Sequence, residues 1–214
     1  MERKCFVCKL KDPGRYGIAD MKLEAITYLS FAMAILLSVS CSETYSPKPR
    51  GFYRIDLPKK SYQRYDGACP FSFEYPLYAE ISPDSSANRQ RCWQNISLPQ
   101  FNATIHLSYH PITSSEALNE LTEDSRTFAF KHTSKATAID EARIYDPDKR
   151  KFGVYYTIEG NTASFAQFYL TDSTRHYLRA ALYFNEEPRA DSIKPVLAFI
   201  KKDLDTLIKS FHWK

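Results

Sequence analysis

Residues 101–109 read Phe101-Asn-Ala-Thr-Ile-His-Leu-Ser-Tyr109, and apolar and polar side chains alternate along the whole stretch. A period of two predicts a β-strand with one face in a core and the other in a polar environment. His106 and His110 share the polar face, and four residues of strand separate them by about 13 Å, which is too far to share one metal ion. We therefore expect two surface histidines on a half-buried sheet.

Further strands are predicted on both sides of this stretch. Phe71-Ser-Phe-Glu-Tyr75 alternates in the same way before Pro76, and residues 138–185 should contain two or three strands. One of these carries alternate apolar residues: Phe152, Val154, Tyr156 and Ile158. A later one should place on one side His176, Leu178, Ala180, Leu182 and Phe184. Polar turns separate these segments, which favours an antiparallel meander.

Two amphipathic helices are predicted. Thr113-Ser-Ser-Glu116 is a capping box followed by apolar residues at helical spacing, so we expect a helix from about Ser114 to Lys131. A second helix should have Asp191 as its N-cap and Pro195 in its first turn.

The second helix has an apolar stripe that should pack across the sheet. The stripe consists of Ile193, Val196, Leu197, Ile200, Leu204, Leu207, Ile208 and Phe211. Asp203 and Asp205 are expected on the opposite face of the helix, which makes that face unsuited to a lipid surface.

The order of these elements is strands, a helix, a meander of strands and a final helix. It predicts an α+β fold in which helices pack on an antiparallel sheet. The strand Phe71–Pro76 and the ending Ser210-Phe-His-Trp213 make the pattern similar to that of PsbP/Mog1-like sandwiches. We expect a single domain of this kind over residues 52–214.

The N-terminal part of the chain has the pattern of an export signal. Residues 21–40 have a short charged start and an apolar run that ends in small residues directly before Cys41. This arrangement suggests a bacterial lipobox, in which Cys41 takes a diacylglycerol and becomes the first residue of the mature protein. Ser38 stands where a lipobox usually has leucine. A plain signal peptide or a signal anchor with an incidental cysteine remains the alternative.

The residues on either side of the export signal fit the same interpretation. Residues 1–20 form a polar extension that a signal peptide does not need, and Met21 is the expected initiator. Residues 41–51 contain Pro47 and Pro49 and are expected to be an extended tether between the lipid and the domain.

Charge and cysteine content limit the classes of function. The chain has 29 Lys and Arg and 25 Asp and Glu, and residues 41–214 keep a net charge of only +2. A nearly neutral mature chain gives no electrostatic support for a nucleic-acid partner. In an oxidising envelope, Cys69 and Cys92 are expected to form a disulfide. Two separate buried thiols are the alternative.

The sequence contains none of the common catalytic or phosphate-binding motifs. We therefore predict no catalysis, no cofactor and no metal. Polar segments of the predicted loops could converge at one end of the sheet and form an interaction surface. Its candidate residues are Arg126, His132, Asn161, Asp172, Arg175 and His176. Helix caps and turns would also explain these residues, and an envelope glycan binder or hydrolase using Arg126, His132 and His176 is the second hypothesis for function.

Seven long segments of the mature chain have an unusual sequence: Pro47-Lys-Pro-Arg-Gly-Phe-Tyr-Arg-Ile-Asp-Leu-Pro58, Cys69-Pro-Phe-Ser-Phe-Glu-Tyr-Pro76, Cys92-Trp-Gln-Asn-Ile96, Phe101–Tyr109, Glu123-Asp-Ser-Arg-Thr-Phe-Ala-Phe-Lys-His-Thr133, Glu159-Gly-Asn-Thr-Ala-Ser164 and Leu170-Thr-Asp-Ser-Thr-Arg-His-Tyr-Leu-Arg179. In these segments the chain resembles the gliding motility lipoprotein GldD family of Bacteroidota. The resemblance spans essentially the whole mature chain. The residue that can be carried over from the family is the lipidated cysteine, onto Cys41.

The resemblance implies a lipid-anchored envelope protein that is needed for gliding motility and for the associated type IX secretion machinery. It also implies partners among other motility lipoproteins, of the GldJ kind, and the absence of catalysis. We expect attachment to a membrane through the lipid, with the outer membrane favoured over the inner membrane.

Overall fold

The computed structural model describes residues 26, 28–33, 54–86, 90–187 and 189–214. The chain divides into two compact units, Met1–Gly51 and Phe52–Lys214. In the first unit, residues 26 and 28–33 are helical and exposed. Cys41, the predicted extension over residues 1–20 and the tether over residues 41–51 lie outside the described residues. Within the described ranges, no helix is both long and apolar enough to cross a membrane.

The second unit contains two antiparallel sheets. The smaller sheet has the strand order β1-β2-β10, formed by Tyr62–Tyr65, Phe71–Pro76 and His212–Trp213. The larger sheet has seven strands in the order β3-β4-β5-β9-β8-β7-β6. In chain order these are β3 (Glu80–Pro83), β4 (Gln94–Leu98), β5 (Ala103–Pro111), β6 (Ala136–Asp146), β7 (Lys151–Gly160), β8 (Ser164–Thr171) and β9 (His176–Phe184). The helices are α1 (Ser115–Phe130) and α2 (Ala190–Ser210), and short 3-10 turns cover Pro99–Phe101 and Lys131–Ser134.

The main core lies between the larger sheet and a layer made of the smaller sheet and α2. Alternate residues of β5 point into it, in register with β9, so that Ile105 faces Leu182 across the pair. The apolar stripe of α2 covers this face through Ile200, Leu204 and Leu207, all of which are buried. The apolar side chains of residues 101–109 therefore face the main core, as their alternation in the sequence predicts.

Helix α1 packs on the opposite face of the larger sheet. Ala129 of the helix forms a second, smaller core with Tyr156 and Ile158 of β7. A buried polar contact fixes the same helix, because the Tyr177 hydroxyl lies 2.6 Å from Ser125 Oγ and donates to the Leu121 carbonyl at 2.9 Å. The central strand β8, which lies between these two covered faces, is buried along almost its whole length.

The predicted class, an α+β fold with an antiparallel sheet and packed helices, is confirmed. Residues 138–185 hold four strands rather than two or three, because Ala136–Asp146 forms an additional strand, β6, which pairs with β7. Helix α1 agrees with the prediction to within one residue, and its N-cap is Ser114, which accepts from the Ala117 amide at 3.2 Å.

Three details predicted for α2 are wrong. The helix begins at Ala190 with Arg189 at the N-cap position, so Asp191 lies in the first turn instead of capping it, and Pro195 lies inside the helix rather than in its first turn. Asp203 is buried, with 2% of its side chain exposed, because it lies beside Ile200 and Leu207 on the buried side of the helix, where Lys60, Tyr62 and Tyr78 cover it.

Asp203 is the centre of a buried polar cluster. Its carboxylate accepts hydrogen bonds from Lys60 Nζ at 2.5 Å and the Tyr62 hydroxyl at 3.0 Å, and also from the Tyr78 hydroxyl. The Lys60 ammonium lies 3.3 Å from the centre of the Phe199 ring. Burial lowers the pKa of Lys60 although the carboxylate opposes that shift. The cluster attaches the segment before β1 to α2.

Two further connections hold the layers together. Cys69 and Cys92 form a disulfide with their Cα atoms 5.5 Å apart, and it joins the loop before β2 to the loop before β4. At the C-terminal end of α2, the Lys151 side chain is 4% exposed and its Nζ donates to the Ile208 carbonyl at 2.8 Å. A cation at this position also interacts favourably with the helix dipole. Both connections join the smaller sheet and α2 to the larger sheet.

Candidate interaction surfaces

The six residues predicted as one surface do not converge at one end of the sheet, and that expectation is wrong. Asn161 precedes β8 and Asp172 follows it, so the eight residues of the strand lie between them. At about 3.3 Å per residue, the strand separates the two positions by roughly 26 Å. Successive turns of an antiparallel meander lie at alternate ends of the sheet, so the turn before β8 and the turn after it cannot meet.

Asn161 and Arg126 have structural partners. Asn161 Oδ1 accepts from the backbone amide of Ala190 at 2.9 Å and so caps the first turn of α2. This cap explains why the helix begins before Asp191. Arg126 pairs with Glu141 at 3.5 Å on the exposed side of α1 and β6. Both side chains are therefore explained by the alternative given above: Asn161 caps a helix, and Arg126 is a solvated surface charge.

Asp172, Arg175 and His176 come together in a cleft of about 510 Å³ at the end of the larger sheet. We call this the sheet-end cleft. Its lining residues are Asp148, Lys149, Arg150, Asp172, Arg175, His176, His212, Trp213 and Lys214. The turn between β6 and β7, the turn between β8 and β9 and the C-terminal strand each contribute to it, so three separate parts of the chain form its walls.

Asp172 organises the turn in this cleft. Its Oδ1 accepts the backbone amides of Thr174, Arg175 and His176 at 3.0, 2.8 and 2.9 Å. Burial alone would raise the pKa of this carboxyl, but these hydrogen bonds outweigh it and lower the pKa to about 2. Asp172 therefore fixes the backbone conformation of the turn, while the side chain of Arg175 stays exposed.

The sheet-end cleft has an excess of positive charge. Its lining holds four cations, Lys149, Arg150, Arg175 and Lys214, and two carboxylates, Asp148 and Asp172. Lys214 pairs with Asp66 at 2.6 Å and Lys149 lies 3.9 Å from Asp146, so Arg150 and Arg175 supply most of the excess. Arg150 donates to Thr174 Oγ1 at 3.0 Å and lies 3.9 Å from Asp172, which holds it at the rim. An exposed, fixed arrangement of this charge is suited to contact with an acidic surface.

His176 closes one wall of the sheet-end cleft. Its ring stacks on Trp213 at 5.3 Å between ring centres, and its Nδ1 lies 2.9 Å from the Tyr109 hydroxyl. Burial is the main cause that lowers the pKa of His176; the carboxylate of Asp172 opposes it, and Arg175 lowers the pKa further. His176 is therefore neutral at neutral pH and is held by aromatic contacts.

The trio required by the hydrolase hypothesis is divided by the sheet. His132 contacts the Gln167 amide at 3.2 Å, on the face opposite to that of the neighbouring core residue Phe168. His176 lies on the other face, in line with the core residue Leu178 and beside Trp213. Arg126 pairs with Glu141 on the side of α1. In the described part of the chain, no group of three or more His, Cys, Asp or Glu side chains could hold a metal ion.

Sequence analysis missed Arg179, which lies on the face of the larger sheet opposite to the main core. It is a charged residue inside the otherwise apolar run of β9, between Leu178 and Ala180. Its Nη2 donates to Gln167 Oε1 at 2.6 Å, and its guanidinium lies 4.7 Å from the centre of the Phe128 ring. A single charged residue within this apolar strand was the feature of the sequence that could have identified Arg179 as a candidate site residue.

The fold and these surfaces define a small α+β sandwich that contains an internal disulfide and carries its charged sites on open surfaces. The model of the gliding motility lipoprotein GldD family matches residues 42–213. The chain therefore belongs to the gliding motility lipoprotein GldD family, which implies a role in gliding motility and a place in the cell envelope.

The solution structure of cyanobacterial PsbP (CyanoP) from Synechocystis sp. PCC 6803 is similar to the chain, with a TM-score of 0.43 and 14% sequence identity. The match covers 74% of this chain and 95% of the PsbP chain. No curated protein matches the chain.

Proposed function

We propose that the protein is a lipid-anchored, non-catalytic envelope protein that acts as a scaffold or stability factor for other motility lipoproteins. It would serve gliding motility, type IX protein secretion or both, with partners of the GldJ kind. The observation that carries this proposal is the family match over residues 42–213, which includes the whole folded domain. Cys41 would carry the lipid, and the outer membrane is the favoured location.

The sheet-end cleft is the proposed contact surface for an acidic patch on a partner. The turn at Asp172 is held by three backbone hydrogen bonds, so the backbone that carries Arg175 has little conformational freedom to lose on binding. Arg150 and Arg175 are both exposed at the rim. A rigid basic rim would supply orientation and association rate through charge complementarity.

Charge reversal at the cleft tests this proposal in cells. Arg150→Glu with Arg175→Glu is compared with Arg143→Glu, an exposed arginine of β6 outside the cleft. In-cell crosslinking, pull-down and mass spectrometry then identify the captured proteins. We expect motility or secretion lipoproteins with the wild type and the Arg143 variant, and their loss with the double variant.

The lipid anchor is tested in the same experiment through Cys41→Ala. This variant should lose the partners together with its membrane attachment. The proposal is refuted if the protein is recovered alone from wild-type cells, or if the double variant captures the same lipoproteins in the same amounts and leaves motility and secretion unchanged.

A further inference from the structure

The larger sheet carries a second charged surface, on the face that α1 covers only in part. Helix α1 packs on this face against Tyr156 and Ile158 of β7 and Tyr177 of β9. On β5, the side chains that alternate with the core residues carry polar groups, including His106 and His110. A polar open face is normal for an antiparallel sheet and by itself indicates no ligand. The contacts of Arg179 provide the specific observation.

Arg179 has unused hydrogen-bonding capacity next to an exposed aromatic ring. A guanidinium has five N–H donors, and here Nη2 is bonded to Gln167 Oε1 at 2.6 Å. The Nε atom is buried and has no hydrogen-bond partner. A buried donor on a charged group costs free energy when it lacks an acceptor, so an acceptor at this position would be stabilising.

A second cation lies over the same ring. Lys131 Nζ is 4.5 Å and Arg179 Cζ is 4.7 Å from the centre of Phe128, whose side chain is 41% exposed. The ion pairs found among the described residues involve neither Lys131 nor Arg179. Two cations are thus brought together at one aromatic side chain without a carboxylate to neutralise either of them.

Three histidines share this face of the sheet with Arg179. His106 and His110 lie two residues to either side of Ser108, which pairs with Arg179 across β5 and β9, and His132 contacts Gln167, the residue that Arg179 binds. Burial is the main cause that lowers the pKa of each imidazole, and Arg179 lowers all three further. Each ring is therefore neutral at pH 7 and has one N–H donor. His106 uses its donor on Asn95 Oδ1, 2.7 Å from Nδ1, so His110 and His132 are the rings that can offer an N–H to an anion.

Acidic groups act on this surface from two elements. Asp84 opposes the lowering of the His106 pKa, and Asp124 of α1 does the same for His110. Asp84 already accepts hydrogen bonds from Asn95 Nδ2 at 3.3 Å and from Ser86. These carboxylates leave the Arg179 guanidinium and Lys131 unpaired.

We propose that Arg179 and Lys131, together with His110 and His132, form a binding site for an oxyanion, either a carboxylate or a phosphate group on a ligand. Arg179 would bind two oxygens of the anion in a fork geometry, and Lys131 would add a point charge. The imidazoles would add N–H donors. This site is separate from the sheet-end cleft and does not depend on the proposed scaffold function.

The test uses the mature lipoprotein in neutral detergent and follows the imidazole Cε1–H signals of its five histidines by NMR. Inorganic phosphate and citrate are titrated separately, with sodium chloride at matched ionic strength as the reference. We expect saturable shifts for His110 and His132. The more effective of the two probes identifies the preferred oxyanion, while binding at the sheet-end cleft would move His176 and His212 instead.

Arg179→Gln should weaken binding about tenfold or more, because a hydrogen bond to a charged group contributes more than a neutral one. The exposed Lys131→Gln substitution should weaken it severalfold, and it keeps the test valid if the Arg179 variant unfolds. Arg143→Gln, which removes an exposed cation elsewhere on the sheet, should leave affinity unchanged. Shifts that do not saturate, equal the chloride reference or persist in both the Arg179 and the Lys131 variants would overturn the proposal.

Discussion

Replacing Asp203 by alanine should strongly destabilise the domain. The Asp203 side chain is 2% exposed, and it accepts from Lys60 Nζ at 2.5 Å and the Tyr62 hydroxyl at 3.0 Å, with the Tyr78 hydroxyl as a third donor. Alanine would leave one ammonium and two hydroxyl groups without their acceptor, beneath the segment that precedes β1. The substitution therefore tests whether this cluster attaches that segment to α2.

The expected loss is about 3 kcal/mol. Removing one partner of a buried ion pair typically costs about 3–5 kcal/mol, because the other charge stays uncompensated. The Lys60 side chain retains 26% of its exposure, so it can turn towards water and recover part of this cost. For a domain of this size, a loss of about 3 kcal/mol lowers the Tm by roughly 6–12 °C.

Urea unfolding of residues 42–214 would measure the effect, with the fluorescence of Trp93 and Trp213 as the signal. Asp205→Ala is the matched control, because Asp205 lies on the same helix and is exposed. It should change the free energy of unfolding by less than about 0.5 kcal/mol. Lys60→Met, made in the wild type and in the Asp203 variant, completes a double-mutant cycle and gives the coupling energy.

Two results would refute this account of the cluster. A loss of less than about 1 kcal/mol for Asp203→Ala would show that a buried ion pair is not being broken. A coupling energy near zero between Lys60 and Asp203 would show that the two side chains act independently, whatever the size of each single effect.

Three further outcomes are expected. Tyr177→Phe should cost about 1–3 kcal/mol, since it leaves Ser125 Oγ and a helix carbonyl without a buried partner. Reducing the Cys69–Cys92 disulfide, which has a sequence separation of 23, should lower the free energy of unfolding by about 3 kcal/mol in urea titrations. The folded-state pKa of Asp172 is about 2, below its ordinary value, so its contribution is present above that ordinary value and is lost as pH falls from about 4 to about 2. Asp172→Asn should weaken the loss of stability over this window in acid titrations.

Each of these predictions has a matched control. Tyr169→Phe removes the hydroxyl of a ring that stacks on Tyr177 at 5.2 Å and should have a smaller effect. A reductant should not change the stability of a variant in which both disulfide cysteines are serine. Asp148→Asn, on the exposed wall of the sheet-end cleft, should keep the wild-type acid dependence. Equal effects in variant and control would contradict the assignment in each case.

Periodicity in the sequence was sufficient for the elements that have one apolar face. Strand β5 and the apolar stripe of α2 were predicted because burial on one side leaves a regular pattern. The short strands β1, β3, β4 and β10 were not predicted. They contain two to five residues with little alternation, and pairing with distant strands determines them.

The candidate sites were less predictable because they depend on which chain segments meet in space. The sequence identified Asp172, Arg175 and His176, which are close along the chain, but it could not add Lys149 or Trp213 to the same cleft. Asn161 was chosen for its polarity, and its partner is the amide of Ala190 at the start of α2. Asp203 was placed on the solvent side because it is charged, although the helical period puts it beside Ile200 and Leu207 on the buried side of α2.

The pairing of β10 with β2 gives this domain a late folding step. Phe71 and Ser72 of β2 are among the first residues of the fold to be synthesised, yet their strand partners are Trp213 and His212. One edge of this phenylalanine-rich strand therefore stays open until almost the entire domain has been made. An unpaired apolar edge is prone to pair with other chains. Aggregation of nascent or C-terminally clipped protein should consequently begin at β2.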